Sequence, residues 1–354
     1  MRENSLKGIV IPLVILNMET HFYFERSIKM TMPWNLVADI GGTNARFSVV
    51  HHRELCDSID LHYSVQDFPK FHHVIEVVID QLREIHGLAN APDQVCLAVA
   101  CPADSEQITF TNSHWEFFRG DLKRKFNCNE LHIINDFEAL AHGVTELASK
   151  DLLSIGNGSE NPDKPKAILG AGTGLGVSAL VPNSRGYEII TGEGGHADFA
   201  PVTDLQIDVL KHLLGSCQRV SFERLLSGKG LLNIYNAISE LHGVCNSLDQ
   251  TSQVVGSAVE GSDQIAIQTL EFFCEVMGSM AGNLALTFGA GGGVYVAGGI
   301  VPRFEQFFIH SRFRHFFENK GRFSGYLKSI PTYLASRPDL GLVGAAKSLI
   351  LNQE

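Results

Sequence analysis

Paired cysteines, clustered metal ligands, an excess of basic residues and an apolar run of membrane-spanning length are all missing from this 354-residue sequence. Its seven cysteines (56, 96, 101, 128, 217, 245 and 274) are odd in number and scattered, with no C-x-x-C pair. That excludes a disulfide framework and a zinc ribbon, and it suits a reducing cytoplasm. Fifteen histidines include no H-E-x-x-H, so no structural zinc is expected. With 28 basic against 39 acidic residues the net charge is −11, which argues against nucleic acid or an anionic membrane as a partner. Small-molecule substrates are the expected partners. The apolar run from Gly8 to Leu16 is broken by Pro12 and lacks a following cleavage site, and it falls well short of the roughly 20 residues that cross a bilayer.

What is present is a globular composition, 44% hydrophobic and 19% charged, able to bury a sizeable core. At roughly 150 residues per domain, the length fits two domains or one large two-lobed one. Residues 1–33 read as an extension outside the fold, disordered or not native. Methionines at 18, 30 and 32 offer later starts, and Trp34 to Ala38 reads as a first strand.

Glycine is in excess, 34 residues where about 7% is usual, and 15 of them fall in the stretches 41–42, 170–176, 192–195 and 289–299. This concentration predicts ligand-contacting turns. The stretch Leu36–Val50 reads as a hairpin whose turn, Gly41-Gly42-Thr43-Asn44, brings backbone N–H groups close to an anion. Asp39, just before it, could hold a hydrated Mg²⁺. The segment Ala167–Leu180 repeats the design, with Gly170, Gly172, Thr173, Gly174 and Gly176 between two apolar strands, and so predicts a duplicated architecture. Neither turn is a Walker A loop or a dinucleotide fingerprint, because neither opens a helix. A third stretch places a buried strand, Val294 to Ala297, before Gly298-Gly299 and Pro302.

Between these turns lie polar residues suited to a polyhydroxylated ligand. Asn135 and Asp136 end an apolar strand before a helical pattern, where they could cap the helix or present a base to a cleft. Glycines flank Glu193 and His196 in a loop with no hydrophobic face. Ser221 reads as the cap of a helix with Glu223 in its first turn. Thr111-Asn112-Ser-His-Trp115 is a weaker candidate of the same kind. The phenylalanines of 304–308 and 313–317 have the spacing of core packing.

In order, Asp39-x-Gly-Gly-Thr-Asn-Ala-Arg46, Cys101-Pro102, Thr111-Asn112-x-x-Trp115, Ile134-Asn-Asp-Phe137, Gly170-Ala-Gly-Thr-Gly-Leu-Gly176, Gly192-Glu-Gly-Gly-His-x-Asp-Phe199, Glu223 to Gly228 and Ala297-Gly-Gly-Ile-Val-Pro-Arg303 closely resemble the bacterial glucokinases of the non-ROK type. Those belong to the hexokinase, Hsp70 and actin superfamily. The ROK sugar kinases carry a cysteine-rich zinc motif that this sequence lacks. The resemblance implies an α/β, two-lobed ribonuclease H-like or actin-like ATPase fold with a central mixed sheet in each lobe and a cleft between them. The small lobe would comprise 34–146 plus 337–354, the large lobe 147–336. It further implies ATP-dependent phosphorylation of glucose at the 6-hydroxyl by a cytoplasmic homodimer. Asp136 would be the catalytic base, with Asn112, Asn135, Glu193, His196 and Glu223 on the sugar. Gly41, Gly42, Thr43, Asn44, Gly170, Gly172, Thr173 and Gly174 would hold the ATP phosphates, Gly298 and Gly299 would lie near the adenosine, and Asp39 would face Mg²⁺ through water. No metal would be held directly by the protein. A kinase for fructose or mannose on the same site, or a non-catalytic sugar sensor, are the competing readings.

Overall fold

The computed structural model describes residues 33–245 and 247–351. All but the last residue of the expected N-terminal extension lies outside them. Two mixed sheets organise the chain, each opened by an antiparallel meander and completed by parallel strands. The first uses β1 (Asn35–Ile40), β2 (Asn44–His51), β3 (Glu54–Ser64), β4 (Gln94–Val99) and, after the short ribbon β5 (Gln107–Thr109) and β6 (Glu116–Phe118), β7 (Glu130–Asn135). Its order is β3-β2-β1-β4-β7. The second uses β8 (Leu152–Ile155), β9 (Lys166–Ala171), β10 (Leu175–Asn183), β11 (Gly186–Gly192), β12 (Val294–Ala297) and β13 (Thr332–Ala335), in the order β11-β10-β9-β12-β13-β8. Apart from β8, the second sheet repeats the first strand for strand. The α/β class, the mixed sheets and the duplicated hairpins are all borne out.

The pattern follows from burial. Strands β4 and β12 are buried throughout and, apart from Gln94 at the start of β4, apolar, as central parallel strands covered on both faces should be. At the edge of the second sheet, β11 has no buried residue and alternates exposed with half-buried positions before its exposed end. On one face of the first sheet, α1 (Phe71–Glu84) and the ribbon pack through Phe71, Phe110, Trp115 and Phe117, while α2 (Arg119–Phe126) adds Leu122 and Phe126. One face of the second sheet carries α4 (Asp204–Leu214), α5 (Gly228–Leu241), α6 (Thr251–Glu260) and the 25-residue α7 (Gln264–Phe288). Helix α7 starts at Asp263, whose Oδ1 accepts from Ile265 and Ala266 N–H, and stops at left-handed Gly289, φ +61°. The expected phenylalanine core is present: Phe304, Phe308, Phe313, Phe316 and Phe317 are buried, on and around α8 (Glu305–His310) and α9 (Phe313–Glu318). The short α10 (Ser324–Ser329) buries Leu327.

Helix α3 (Asp136–Val144) is shared by both halves. Its Ala139 packs with Val37, Cys96 and Ala98 of the first sheet and with Leu342 and Ala345 of the C-terminal α11 (Leu340–Leu351). Its Ala141 and Val144 pack with Ile168, Leu180 and Tyr295 of the second sheet. Contact with α11 is backbone to backbone: a Cβ on Gly344 would sit 1.7 Å from the Ala139 carbonyl oxygen, and one on Gly143 2.5 Å from that of Leu340. The N-terminus of α3 is therefore fixed from two sides.

Among the described residues no helix is long and apolar enough to cross a membrane. All seven cysteines are unpaired.

Candidate active site

The site forms where the two repeated hairpins meet. Each strand pair closes on a glycine turn, and the turns touch: the hydroxyls of Thr43 and Thr173, from different sheets, are hydrogen-bonded at 3.0 Å. Asn112 lies between them. A Cβ on Gly42 would come within 2.9 Å of the Asn112 carbonyl oxygen and 3.1 Å of Thr173 Cγ2, and one on Gly174 within 3.6 Å of Asn112 Nδ2. Trp115 fixes that loop by burying its ring and donating Nε1–H to the Phe68 carbonyl at 2.9 Å. Gly41 N–H closes the first turn on the Asn44 carbonyl at 2.9 Å, and Gly172 N–H closes the second on Gly174 at 2.8 Å.

Asp39 stands opposite Arg46 in the first hairpin. Burial lifts its carboxyl above the ordinary aspartate range, and the Arg46 guanidinium offsets this only in part. Arg46 also donates to the Pro338 carbonyl, tying the hairpin to the start of α11.

Asp136 is the first residue of α3, at the end of β7. Its neighbour Asn135 is the N-cap, accepting from the Phe137 N–H at 2.9 Å while its own Nδ2 donates to the Cys101 carbonyl at 3.3 Å. Of the two residues, Asn135 takes the cap, which leaves the Asp136 carboxylate beside it outside that role. The Phe137 N–H also reaches Asp136 Oδ1 at 3.0 Å. Burial, then the nearby charge of Asp39 and to a smaller extent that of Glu193, push the Asp136 carboxyl up to about 7, against the lowering effect of the Phe137 N–H. Burial with the charges of Asp136 and Glu193 likewise pushes the Cys101 thiol up to about 11, leaving it un-ionised.

Glu193, His196 and Glu223 converge on the same place. His196 Nε2 is 3.9 Å from Glu193 Oε2, and its Nδ1 is 4.0 Å from Glu223 Oε1. Gly195 permits this approach, since a Cβ there would lie 1.9 Å from the Leu175 carbonyl oxygen. Glu223 departs from expectation. Ser221 makes no side-chain cap, and Phe222–Arg224 is an isolated 3-10 turn; helix α5 begins at Gly228 behind Ser227, whose Oγ accepts from Gly230 N–H. The Glu223 carboxylate instead accepts from Leu175 N–H at 2.9 Å, joining it to the second hairpin. Nothing in the local sequence separates Ser221 from Ser227 as a cap, because both precede helix-compatible residues.

The third glycine stretch divides. Gly298, φ +86°, lies against the Ala171 carbonyl beside the second turn, and Gly299 has open space around it. Gly291 and Gly292 lie instead against Lys164 and Pro165, where β9 and β12 begin, at the far end of two parallel strands. They serve a close backbone approach and correct the expectation of a ligand turn there. Gly170 is buried within β9 beneath Ala297 and Phe137, away from the turn's open side. Two features escaped the sequence reading: the insertion of Phe137 between glycines, and Gly341 under Asp39.

A carboxylate on a helix N-terminus with other carboxylates nearby, two touching glycine turns and a rim of acid, amide and imidazole groups is an arrangement suited to phosphoryl transfer to a hydroxyl-rich acceptor. Comparison with known proteins agrees. Residues 36–352 match the family model described as Glucokinase. A glucokinase of Hahella chejuensis is 43% identical over 320 residues, covering 90% of this chain and 97% of its own. The crystal structure of a glucokinase from an Antarctic psychrotroph superposes with a TM-score of 0.77 at 33% identity, covering 91% of this chain and 100% of that one. A Balamuthia mandrillaris glucokinase, solved in complex with glucose, shares the fold with a TM-score of 0.78 at 20% identity, over 93% of this chain and 98% of its own. With a family match running from β1 through α11 and relatives above 40% identical over about nine-tenths of its length, the chain belongs to the glucokinase family.

Proposed function

We propose that this chain transfers the γ-phosphoryl group of ATP to the 6-hydroxyl of glucose, with Asp136 as the base. The observation that carries the reading is the position of Asp136 at the N-terminus of α3, within reach of the charges of Asp39 and Glu193, with Asp39 just before the turn whose Thr43 meets Thr173. In this reading Asp136 accepts the proton of the sugar hydroxyl as that oxygen bonds to phosphorus and the bond to the ADP oxygen breaks. Asn112, Glu193, His196 and Glu223 bind the remaining hydroxyls, the two carboxylates as acceptors and the amide and imidazole as donors or acceptors. Asn135 contributes one free amide hydrogen, its carbonyl being engaged in the cap.

With the Gly41 and Gly172 N–H groups closing them, the two turns present their other backbone N–H groups to the phosphates, and Gly298–Gly299 line the nucleoside side. Asp39 suits Mg²⁺ held through water, because a small hard cation takes one or two protein carboxylates and keeps water and phosphate oxygens as its other ligands. When bound, Mg²⁺ neutralises phosphate charge. The chain is read as two lobes, 34–146 with 337–354 and 147–336, around a closing cleft. Packing of α11 on the first sheet supports the C-terminal return. A cytoplasmic homodimer completes the proposal, checked by light scattering.

The test is a panel of hexoses with Mg-ATP and the purified chain, the product being identified by phosphorus NMR. Glucose 6-phosphate should form fastest. A higher kcat/KM for fructose or mannose, or ATP hydrolysis without sugar phosphate, would contradict the proposal.

A further inference from the structure

Between the base and the second phosphate turn stands one aromatic side chain. Phe137 follows Asp136 on α3, yet its ring lies in the second sheet, against Gly170 and Gly176. These two glycines face each other across the β9–β10 hairpin. A Cβ on Gly176 would fall 1.9 Å from ring carbons of Phe137, and one on Gly170 would sit 3.1 Å from Cζ. The pair therefore makes a slot: a side chain at Gly176 would take the ring's place, and one at Gly170 would crowd both the ring and the Ala297 backbone. At the other end, the Phe137 backbone N–H donates to both Asn135 Oδ1 and Asp136 Oδ1. One residue thus holds the carboxylate with its backbone and the opposite sheet with its side chain.

We propose that Phe137 is a positioning residue, a wedge that fixes the Asp136 carboxylate relative to the Gly172–Gly174 turn by seating its ring in the Gly170–Gly176 slot. This rests on the reading of Asp136 as the base. The hairpin carries the turn two residues beyond the slot, so seating the ring sets the distance between the proton acceptor and the phosphate cradle. Catalysis by orientation depends steeply on such distances.

Suppression tests the wedge. Phe137→Ala should lower kcat by about 10- to 100-fold, the size of effect that follows small misplacements, while glucose affinity measured by calorimetry without nucleotide is kept. Gly176→Ala, made in the other sheet, should lower kcat in the same way, since its methyl displaces the ring. Combined, that methyl occupies space the ring has vacated, so the double variant should be no slower than Phe137→Ala alone. Multiplicative losses would overturn the wedge, as would a normal kcat in either single variant. A purely structural role would lower the melting temperature and leave kcat per folded molecule unchanged. If Phe137→Ala does not fold, Phe137→Leu with Gly176→Ala carries the same comparison. Asp136→Asn separates the two claims: normal turnover there would remove the base assignment, whereas an inactive Asp136→Asn with multiplicative wedge losses would remove the wedge alone.

Discussion

The hairpins β1–β2 and β9–β10 share a backbone design and differ at equivalent positions. Counting back from the turn, the second cross-strand pair is Asp39 with Arg46 in the first hairpin and Gly170 with Gly176 in the second. Each pair meets a helix. In the first, the strand supplies the side chain and the helix the glycine: a Cβ on Gly341 of α11 would lie 2.4 Å from Asp39 Oδ2. In the second, the roles are exchanged, with the helix supplying Phe137 and the strands the glycines. The first hairpin thus contributes charge to the site and the second contributes shape. A repeated turn has been turned to two purposes by one pair of residues.

Among changes to the hairpins and the helices they meet, the largest effect should come from removing the charge. Asp39→Asn should lower kcat/KM for Mg-ATP by about 10²-fold, the scale of losing one electrostatic contact to the transferring group. It should also move the acid limb of the pH profile to lower pH, because the Asp39 charge helps to raise Asp136. Titration calorimetry with a non-hydrolysable nucleotide and kinetics across pH check both parts. An unmoved limb would break the contrast between the hairpins.

The pH profile of the unaltered protein comes next. Asp136 accepts a proton only when ionised, and its carboxyl is pushed up to about 7. Hence kcat/KM should fall as pH drops below neutrality, approaching about tenfold per unit, as a single ionisation requires. A profile flat down to pH 5 would contradict the crowding of carboxylates at this site.

Gly341→Ala puts a methyl against Asp39 from the helix side. Overpacking of this kind costs about 1–3 kcal/mol, and it should weaken Mg-nucleotide binding while sparing glucose. In an Asp39→Asn background the effect on nucleotide binding should disappear, which calorimetry on the four variants would reveal. The smallest effect should be that of Thr173→Val. It removes the Thr43 contact and one neutral hydrogen bond worth about 0.5–1.5 kcal/mol, read as a modest rise in the KM for ATP.

Much of this was legible before any coordinates. Periodicity and glycine placement pointed to both hairpins, and the ordered motifs to the residues of the site. What stayed hidden required long-range contact. Ser221 and Ser227 are equivalent as caps until the second hairpin draws Glu223 to Leu175 N–H, 48 positions away in sequence. Gly170 and Gly176 look like turn glycines until Phe137 arrives from the other sheet. Likewise, Gly291–Gly293 resemble a ligand loop until the parallel pairing of β9 with β12 sets them at the opposite end from Gly298. Close approach and ligand contact call for the same residue, and only packing separates them.

Asp136, the proposed base, is a carboxylate held against its own solvation preference. A folded-state pKa above the unfolded one means that its stabilising contribution is complete below about pH 4 and is lost as pH rises through about 7. At pH 8 its ionisation therefore opposes folding, by on the order of a few kcal/mol. The decisive measurement is Asp136→Asn, followed by single-turnover phosphoryl transfer to glucose and by thermal melting at pH 5 and pH 8. Transfer should slow by at least about 10²-fold, the lower range for losing a general base. The variant should also melt above the unaltered protein at pH 8, with a smaller gap at pH 5. Transfer at the normal rate, or a variant less stable at pH 8, would contradict the account.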